Sequence, residues 1–328
     1  MKKNTCQEQI SKGEFYKMDK NLLIMSQMPK HFIDLADRHF NTHKLWMKDD
    51  EDKFIDKIKS NVDAIAVMGG YKITPELMKN MPNLKIIACY GVGYDAIDIN
   101  CAKSLGIKVT NTPEVLNDEV ADTAIALMLC VYKKLVTADN FARTNSWIHG
   151  DFPLTKKFTG TKLGIVGMGR IGKAIAERAE AFKCQVYYHS RNQKDVKYVY
   201  YNNLIDLAKE VDTLCIITPG GKETEKLINN EVLDALGKEG VLINVARGSV
   251  IDQETLIYYL ENKLILAAGL DVYTNEPNIP KKLMSLDNTV LLPHIASGTV
   301  ETRNAMGQLV FDNIKNYFEE KPLISAVV

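Results

Sequence analysis

What the 328-residue chain lacks narrows its class first. No apolar run approaches the roughly 20 residues that a membrane-spanning helix needs. No excess of one charge exists either: 41 Lys and Arg offset 41 Asp and Glu, which leaves no broad field to hold nucleic acid or an anionic membrane. The six cysteines, at positions 6, 89, 101, 130, 184 and 215, form no C-x-x-C pair and no metal-ligand spacing, so no metal is expected. Cys89, Cys130 and Cys215 lie in apolar runs, where a thiol behaves as a small hydrophobe, and a reduced, cytoplasmic protein follows. Repeats and low-complexity segments are absent. The opening "MKKNTCQEQISKGEFYKMDK" has basic residues with no apolar core behind them, which reads as a poorly ordered extension and not as a secretory signal.

What is present is a long alternation of short apolar strands with helical patterns, the mark of parallel α/β architecture. The length makes two domains the default. "NLLIM" (21–25), "DAIAVM" (63–68) and "LKIIAC" (84–89) are apolar throughout, as strands covered on both faces must be, and "GIKVTN" (106–111) is a shorter fourth. Residues 119–143 carry no Gly or Pro and read as one long helix, N-capped by Asn117 or Asp118. Its first half is apolar nearly all round, which predicts burial between domains or subunits. A second strand series follows at 161–169, 184–190, 211–219, 240–248, 266–273 and 288–294, and a closing helix covers roughly 300–318. Six strands with intervening helices make a complete doubly wound domain, preceded by a smaller one.

The strand Leu163–Val166 runs into Gly167-Met168-Gly169-Arg170-Ile171-Gly172, a G-x-G-x-x-G loop with a helix leaving it. Gly167 permits the tight turn, Gly169 lets the backbone approach a pyrophosphate, and Gly172 lets helix and strand pack closely. The helix N-terminus then offers N–H groups and a positive dipole end to the phosphates. At the end of the next strand, where an acid would hold the ribose hydroxyls of NAD, stand Ser190, Arg191 and Asn192. An acid would repel a 2′-phosphate; a hydroxyl, a guanidinium and an amide can donate to it. The expected cofactor is therefore NADP(H), with NAD(H) at lower preference.

Ligands of open parallel sheets sit beyond the carboxyl ends of the strands. The residues there are Arg247 after the fourth late strand, Asp271 and Glu276 after the fifth, and His294 after the sixth. This set suits reduction of a 2-keto acid. Arg247 binds the carboxylate or keto oxygen through its fork, His294 gives that oxygen a proton as hydride reaches carbon, and Glu276 orients the imidazole. Taken singly, each has a plain alternative: a structural His, an Arg capping carbonyls, a Glu in a turn before Pro.

"CYGVGYDAIDINCAKSLGIKVTNTPEVLNDEVADTAIALML", "GIVGMGRIG", "INVARGSVIDQETL", "AAGLDVYTNEP" and "LLPHIASGT" resemble, in order, the D-isomer-specific 2-hydroxyacid dehydrogenases, over nearly all the chain from Asn21. Within that family "GDFPLTKKFTG" and "EAFKCQVYYHSRN" look most like the hydroxyphenylpyruvate, hydroxypyruvate and glyoxylate reductases. The resemblance implies a catalytic set of Arg247, Glu276 and His294. It implies Asp271 on the nicotinamide amide, Thr218 and Pro219 on the adenosine side, and backbone N–H groups near Gly70 and at Val92 and Gly93 for the substrate carboxylate. It implies a smaller, flavodoxin-like substrate domain, residues 1–117 plus 302–328, and a Rossmann domain, 118–301, with the active site in the cleft they form. A homodimer through 119–153 is also implied, with Trp147 either reaching toward the partner's active site or packing in the interface. Tyr71 and Met68 are candidates for selecting the side chain of the keto acid. Two other activities remain open on the resemblance: a 3-phosphoglycerate dehydrogenase-like NAD enzyme, and a non-catalytic dinucleotide-sensing corepressor-like protein.

Overall fold

A computed structural model of the protein describes residues 17–328. The expected N-terminal extension lies, up to residue 16, outside the described residues. Its last residues already belong to the fold: the Met18 N–H donates to the His39 carbonyl at 2.8 Å, and Lys20 accepts from the Asn41 N–H at 2.8 Å.

The chain forms two compact units, one of residues up to Val115 with Val300–Val328, the other Leu116–Thr299. The first begins with β1 (Asn21–Ile24), α1 (Lys30–His39), β2 (Asn41–Lys44) and α2 (Glu51–Ile58). It continues with β3 (Ala64–Met68), α3 (Pro75–Lys79), β4 (Ile86–Tyr90), α4 (Ile99–Ser104) and β5 (Lys108–Thr110). Its five-stranded sheet runs β2-β1-β3-β4-β5, all parallel, which is the flavodoxin-like order. Four of these strands are the apolar runs anticipated. The fifth, β2, reads "NTHK"; as a half-buried edge strand it needs no apolar run, so no sequence signal marks it.

The second unit opens with α5 (Asn117–Lys133) and α6 (Leu135–Arg143), then β6 (Lys162–Val166), α7 (Arg170–Ala181), β7 (Gln185–His189) and β8 (Val199–Tyr200). Next come α8 (Leu204–Glu210), β9 (Thr213–Ile216), α9 (Asn230–Leu236), β10 (Val241–Asn244) and α10 (Gln253–Glu261). The unit ends with β11 (Ala267–Leu270), α11 (Lys281–Met284) and β12 (Thr289–Leu291). Its seven strands run β12-β11-β10-β9-β6-β7-β8, again all parallel. The order reverses between β6 and β9, the switch point where a doubly wound sheet opens a crevice for a dinucleotide. The chain then returns to the first unit as α12 (Val300–Phe318). There the buried Asn313 accepts from the N–H groups of Ile324 and Ser325, and the Ser325 hydroxyl donates to the Asn111 carbonyl at 2.6 Å.

Two helix expectations are corrected. The segment 119–143 is not one helix: Lys134 turns left-handed, at φ 49° and ψ 41°, and separates α5 from α6. Nor does Asn117 or Asp118 cap α5, which starts at Asn117 after Leu116 with no side-chain cap. Asp118 is used otherwise: it takes Arg178 of α7 at 2.9 Å, and Asp122 one turn on takes the same guanidinium. That shared cation holds α7, the helix behind the glycine loop, against α5. The apolar first half of α5 buries Val120, Ala121, Ala124, Ile125, Leu127 and Met128 within the second unit, beside α7 and strands β10 to β12.

Candidate active site and dinucleotide cradle

The glycine loop joins β6 to α7. Each glycine is there for a different physical reason. Gly167 has φ +111°, and a Cβ would sit 2.7 Å from the carbonyl oxygen of Ile217, the residue just after β9. A Cβ on Gly172 would lie 2.2 Å from the Gly167 oxygen, so helix and loop could not close. At Gly169 a Cβ meets nothing within 4 Å: it would fill open space in front of the helix. Gly169 is the N-cap of α7, and no side chain caps that end. An unobstructed approach, uncapped first-turn N–H groups and the positive end of a 12-residue helix fit a pyrophosphate. The side chain of Met168 is buried at 1 % exposure, so only its backbone can face a ligand. Thr218 and Pro219 follow β9, across the switch point from this loop.

Ser190, Arg191 and Asn192 leave the carboxyl end of β7 in a tight turn. Two of their donors are already engaged. The Ser190 hydroxyl donates to the Asn192 carbonyl at 2.7 Å, and Arg191 Nη1 meets Glu223 Oε2 at 2.8 Å. Glu223 had not been anticipated beside this turn. It lies 32 residues further along the chain, in the loop after β9, and no local spacing links the two positions.

At the other end of the crevice the late strands deliver the charged set. Arg247 follows β10 and begins a 3₁₀ turn, Gly248–Val250. The buried Asn244 shapes that corner: its amide donates to the Arg247 carbonyl at 3.0 Å, and its oxygen accepts from the Ala246 N–H at 3.0 Å. Gly248 is pressed on the loop after β11; a Cβ there would lie 1.9 Å from the Tyr273 carbonyl carbon. The fit between the Arg247 turn and the Glu276 loop thus depends on a residue without a side chain.

His294 and Glu276 are joined as expected. The imidazole Nδ1 lies 2.6 Å from Glu276 Oε2, while Oε1 of the same carboxylate accepts from the Tyr273 N–H at 2.9 Å. Burial works against the Glu276 anion. The hydrogen bonds from His294 and Tyr273 and the charges of His294 and Arg247 outweigh it, and hold the carboxyl below its usual range. A carboxylate on Nδ1 fixes the ring's tautomer and leaves Nε2 for other chemistry; Nε2 makes no hydrogen bond to the described residues. The histidine side chain is 49 % exposed, so its outer edge is reachable.

Asp271 does something the sequence did not show. Its side chain is fully buried, with one oxygen accepting from the Ile295 N–H at 2.7 Å and the other from the Ala296 N–H at 2.9 Å. Its own carbonyl accepts from the His294 N–H at 2.9 Å. Asp271 therefore straps down the loop that carries His294, whose backbone is left-handed at φ +54°. Burial raises the Asp271 carboxyl above its usual range, against the lowering pull of the two backbone donors. Thr123 of α5 ties the same loop from the other side through the Ala296 carbonyl at 3.1 Å.

In the first unit, Gly70 follows β3 and Val92 and Gly93 follow β4. The carbonyls of Val92 and Gly93 are taken, by the Asn111 amide and the Cys89 thiol. The N–H groups of all three residues donate to no backbone carbonyl among the described residues. Met68 is half-buried, and the Tyr71 hydroxyl donates to Glu51 at 3.2 Å.

Residues 125–296 match the NAD-binding domain model of the D-isomer-specific 2-hydroxyacid dehydrogenases. The glyoxylate/hydroxypyruvate reductase A of Arabidopsis thaliana is 41 % identical over 308 residues, 94 % of this chain and 98 % of that protein. The hydroxyphenylpyruvate reductase of Plectranthus scutellarioides is also 41 % identical over the same shares. Among solved structures, an NADPH-dependent glyoxylate/hydroxypyruvate reductase from Sinorhizobium meliloti, in complex with NADP and malonate, superposes with a TM-score of 0.88 at 40 % identity, covering 95 % of this chain and 97 % of that one. With its two parallel sheets, its glycine cradle and matches that span nearly its whole length, this chain belongs to the D-isomer-specific 2-hydroxyacid dehydrogenase family.

Proposed function

We propose that the protein reduces a 2-keto acid of the hydroxypyruvate, glyoxylate or hydroxyphenylpyruvate class to the D-2-hydroxy acid, with NADPH as the preferred reductant and NADH as a weaker one. The observation that carries this reading is the His294–Glu276 pair at 2.6 Å with Nε2 left over. Bound NADPH supplies the hydride. His294 in its protonated form donates the Nε2 proton to the keto oxygen as that oxygen gains charge, and Glu276 stabilises the imidazolium and keeps the ring turned. Arg247 pairs with the substrate's carboxylate or keto oxygen through its fork, and the N–H groups at Gly70, Val92 and Gly93 hold the carboxylate. Asp271 keeps the His294 loop in place; its carboxylate, fully buried and spent on the Ile295 and Ala296 N–H groups, presents no surface to a nicotinamide amide, and that expectation is set aside.

The second unit takes the dinucleotide, through Gly167 to Gly172, Thr218 and Pro219, with Ser190, Arg191 and Asn192 receiving a 2′-phosphate. The first unit takes the keto acid. The relatives named for glyoxylate, hydroxypyruvate and hydroxyphenylpyruvate support the substrate class. Steady-state kcat/KM for these three acids, each with NADPH and with NADH, tests the reading: turnover of none of them overturns it. Ser190→Asp with Arg191→Ala should move preference toward NADH; an unchanged ratio overturns the cofactor assignment.

The working form in this reading is a homodimer through residues 119–153. Helix α6 buries no residue of its own, and Leu135, Val136, Trp147 and Ile148 are exposed, the last two at 69 % each. A helix with such a face needs a partner surface. Cys89, Cys101, Cys130, Cys184 and Cys215 form no disulfide, which suits a reducing compartment, and the reading places the enzyme in the cytoplasm. No helix among the described residues is long and apolar enough to cross a membrane.

A further inference from the structure

We propose that Tyr188 and Tyr200 are positioning residues for the dinucleotide's 2′-phosphate: their hydroxyls lock the backbone of the 190–194 turn in the shape that presents Ser190 and Arg191. The proposal rests on the reading of that turn as the NADPH-selecting one.

Tyr188 is the fourth residue of β7 and is fully buried. Its hydroxyl accepts from the Lys194 N–H at 2.8 Å and donates to the Lys194 carbonyl at 3.1 Å. One phenol thus holds both backbone groups of a single residue, and closes the chain from 188 to 194 into a ring. Tyr200 stands directly opposite Tyr188 on the paired strand β8, with ring centroids 5.3 Å apart. Its hydroxyl proton is shared between the Ser190 carbonyl and Asn202 Oδ1, each at 3.1 Å. The base of the turn is fixed from the same side: the Tyr201 N–H donates to the Tyr188 carbonyl at 2.8 Å, and the His189 ring meets the Tyr201 carbonyl at 3.0 Å.

The clamp accounts for an otherwise odd feature. Strand β8 is two residues long, at the edge of the sheet, with Val199 exposed, so it adds little to the core. What it does supply is Tyr200. A turn of exposed polar residues left loose would have to be ordered each time it closed on a phosphate, and that ordering entropy would be subtracted from the binding free energy. Two phenols anchored in the sheet meet that cost during folding. Within the turn their hydroxyls bond backbone alone, so they occupy no side-chain donor of Ser190, Arg191 or Asn192.

The two variants are Tyr188→Phe and Tyr200→Phe, which keep the rings and remove only the hydroxyls. Each is titrated calorimetrically with NADP⁺ and with NAD⁺ in the absence of keto acid, and amide exchange at Lys194 is followed in parallel. The expected result is a rise of about five- to tenfold in the NADP⁺ dissociation constant, a change within about twofold for NAD⁺, and faster exchange of the Lys194 amide in Tyr188→Phe. Equal weakening of both dinucleotides, or no weakening of either, overturns the clamp and leaves the tyrosines as packing residues. Should Tyr188→Phe fail to fold, Tyr200→Phe, whose ring is only half-buried, decides the matter on the same ratio. A wild-type protein that binds the two dinucleotides alike overturns the cofactor reading, and the clamp with it. A wild-type preference for NADP⁺ that is undiminished in both variants overturns the clamp alone.

Discussion

The corner holding His294 and the turn holding Arg191 lie beyond the carboxyl ends of the same sheet, yet they are built on opposite plans. In the corner the supporting groups are deep: Asp271 is fully buried and Asn244 is 1 % exposed, and both spend their hydrogen bonds on backbone. In the turn the reading side chain is at the surface, Arg191 being 80 % exposed and its partner Glu223 75 %. Proton transfer tolerates little error in donor placement, so its support has to be rigid. Selection between two dinucleotides asks for a favourable local charge, which an exposed side chain can provide once the backbone beneath it is held, as Tyr188 and Tyr200 hold it here. Changes in the corner should therefore reduce turnover, and changes in the turn should shift preference.

The sharpest break of that contrast is His294→Ala. With the proposed proton donor gone, kcat should fall by roughly 10²- to 10⁴-fold while the NADP⁺ dissociation constant stays within about twofold. Near-wild-type turnover would remove His294 from the mechanism.

Asp271→Asn comes next. An amide can accept from one of the Ile295 and Ala296 N–H groups but turns its own NH₂ toward the other. The loop should shift and unfolding should become easier by about 1–3 kcal/mol. kcat should drop although Asp271 transfers no proton in this reading. A variant with wild-type kcat and a lowered Tm would show that the strap stabilises the fold and does not place His294.

Glu276 gives the comparison a pH axis. Its carboxyl is lowered in the folded protein from the ordinary 4.5, so the native state holds the anion more firmly than the unfolded chain does. The resulting stability is complete above the ordinary value and is lost as pH falls through the lowered one. Glu276→Gln has no such contribution to lose. Its Tm deficit against wild type should be constant near neutral pH and shrink on acidification below about 4.5; a deficit that stays constant down to pH ~3 would contradict the assignment.

The two regions were also unequally legible in the sequence. Gly167, Gly169 and Gly172 could be recognised because strand, glycines and helix are consecutive, and Arg247 and His294 because each follows its own apolar strand. The support behind them could not. The Asp271 strap joins positions 24 and 25 residues apart through backbone N–H groups, which carry no residue-type signal. The break at Lys134 falls in a run whose periodicity continues, on a residue type that rarely turns left-handed. Strands β2 and β8 are a polar edge and a two-residue edge, below what alternation or apolar runs can mark. Pairings across the sheet, such as Tyr188 with Tyr200 or Arg191 with Glu223, depend on register, and register is not written locally.

The smallest expected effect is the most discriminating for the turn. Glu223 occupies Arg191 at 2.8 Å, so an incoming 2′-phosphate has to share or displace a carboxylate and also approach its negative charge. Glu223→Gln removes both obstacles while leaving an amide that can still accept from the guanidinium. Because both partners are largely exposed, water and salt screen the pair, and only a modest gain is available. KM for NADPH should fall by about two- to fivefold at low ionic strength, with the gain fading as salt is added, and KM for NADH should not move. Tm should stay within about 1 °C of wild type, as befits a surface charge outside the packed corner. If NADPH instead bound more weakly, Glu223 would be holding Arg191 in its reading position. The exposed charge would then depend on a fixed neighbour as His294 depends on Asp271, and the contrast between a buried support and an adjustable surface charge would no longer hold.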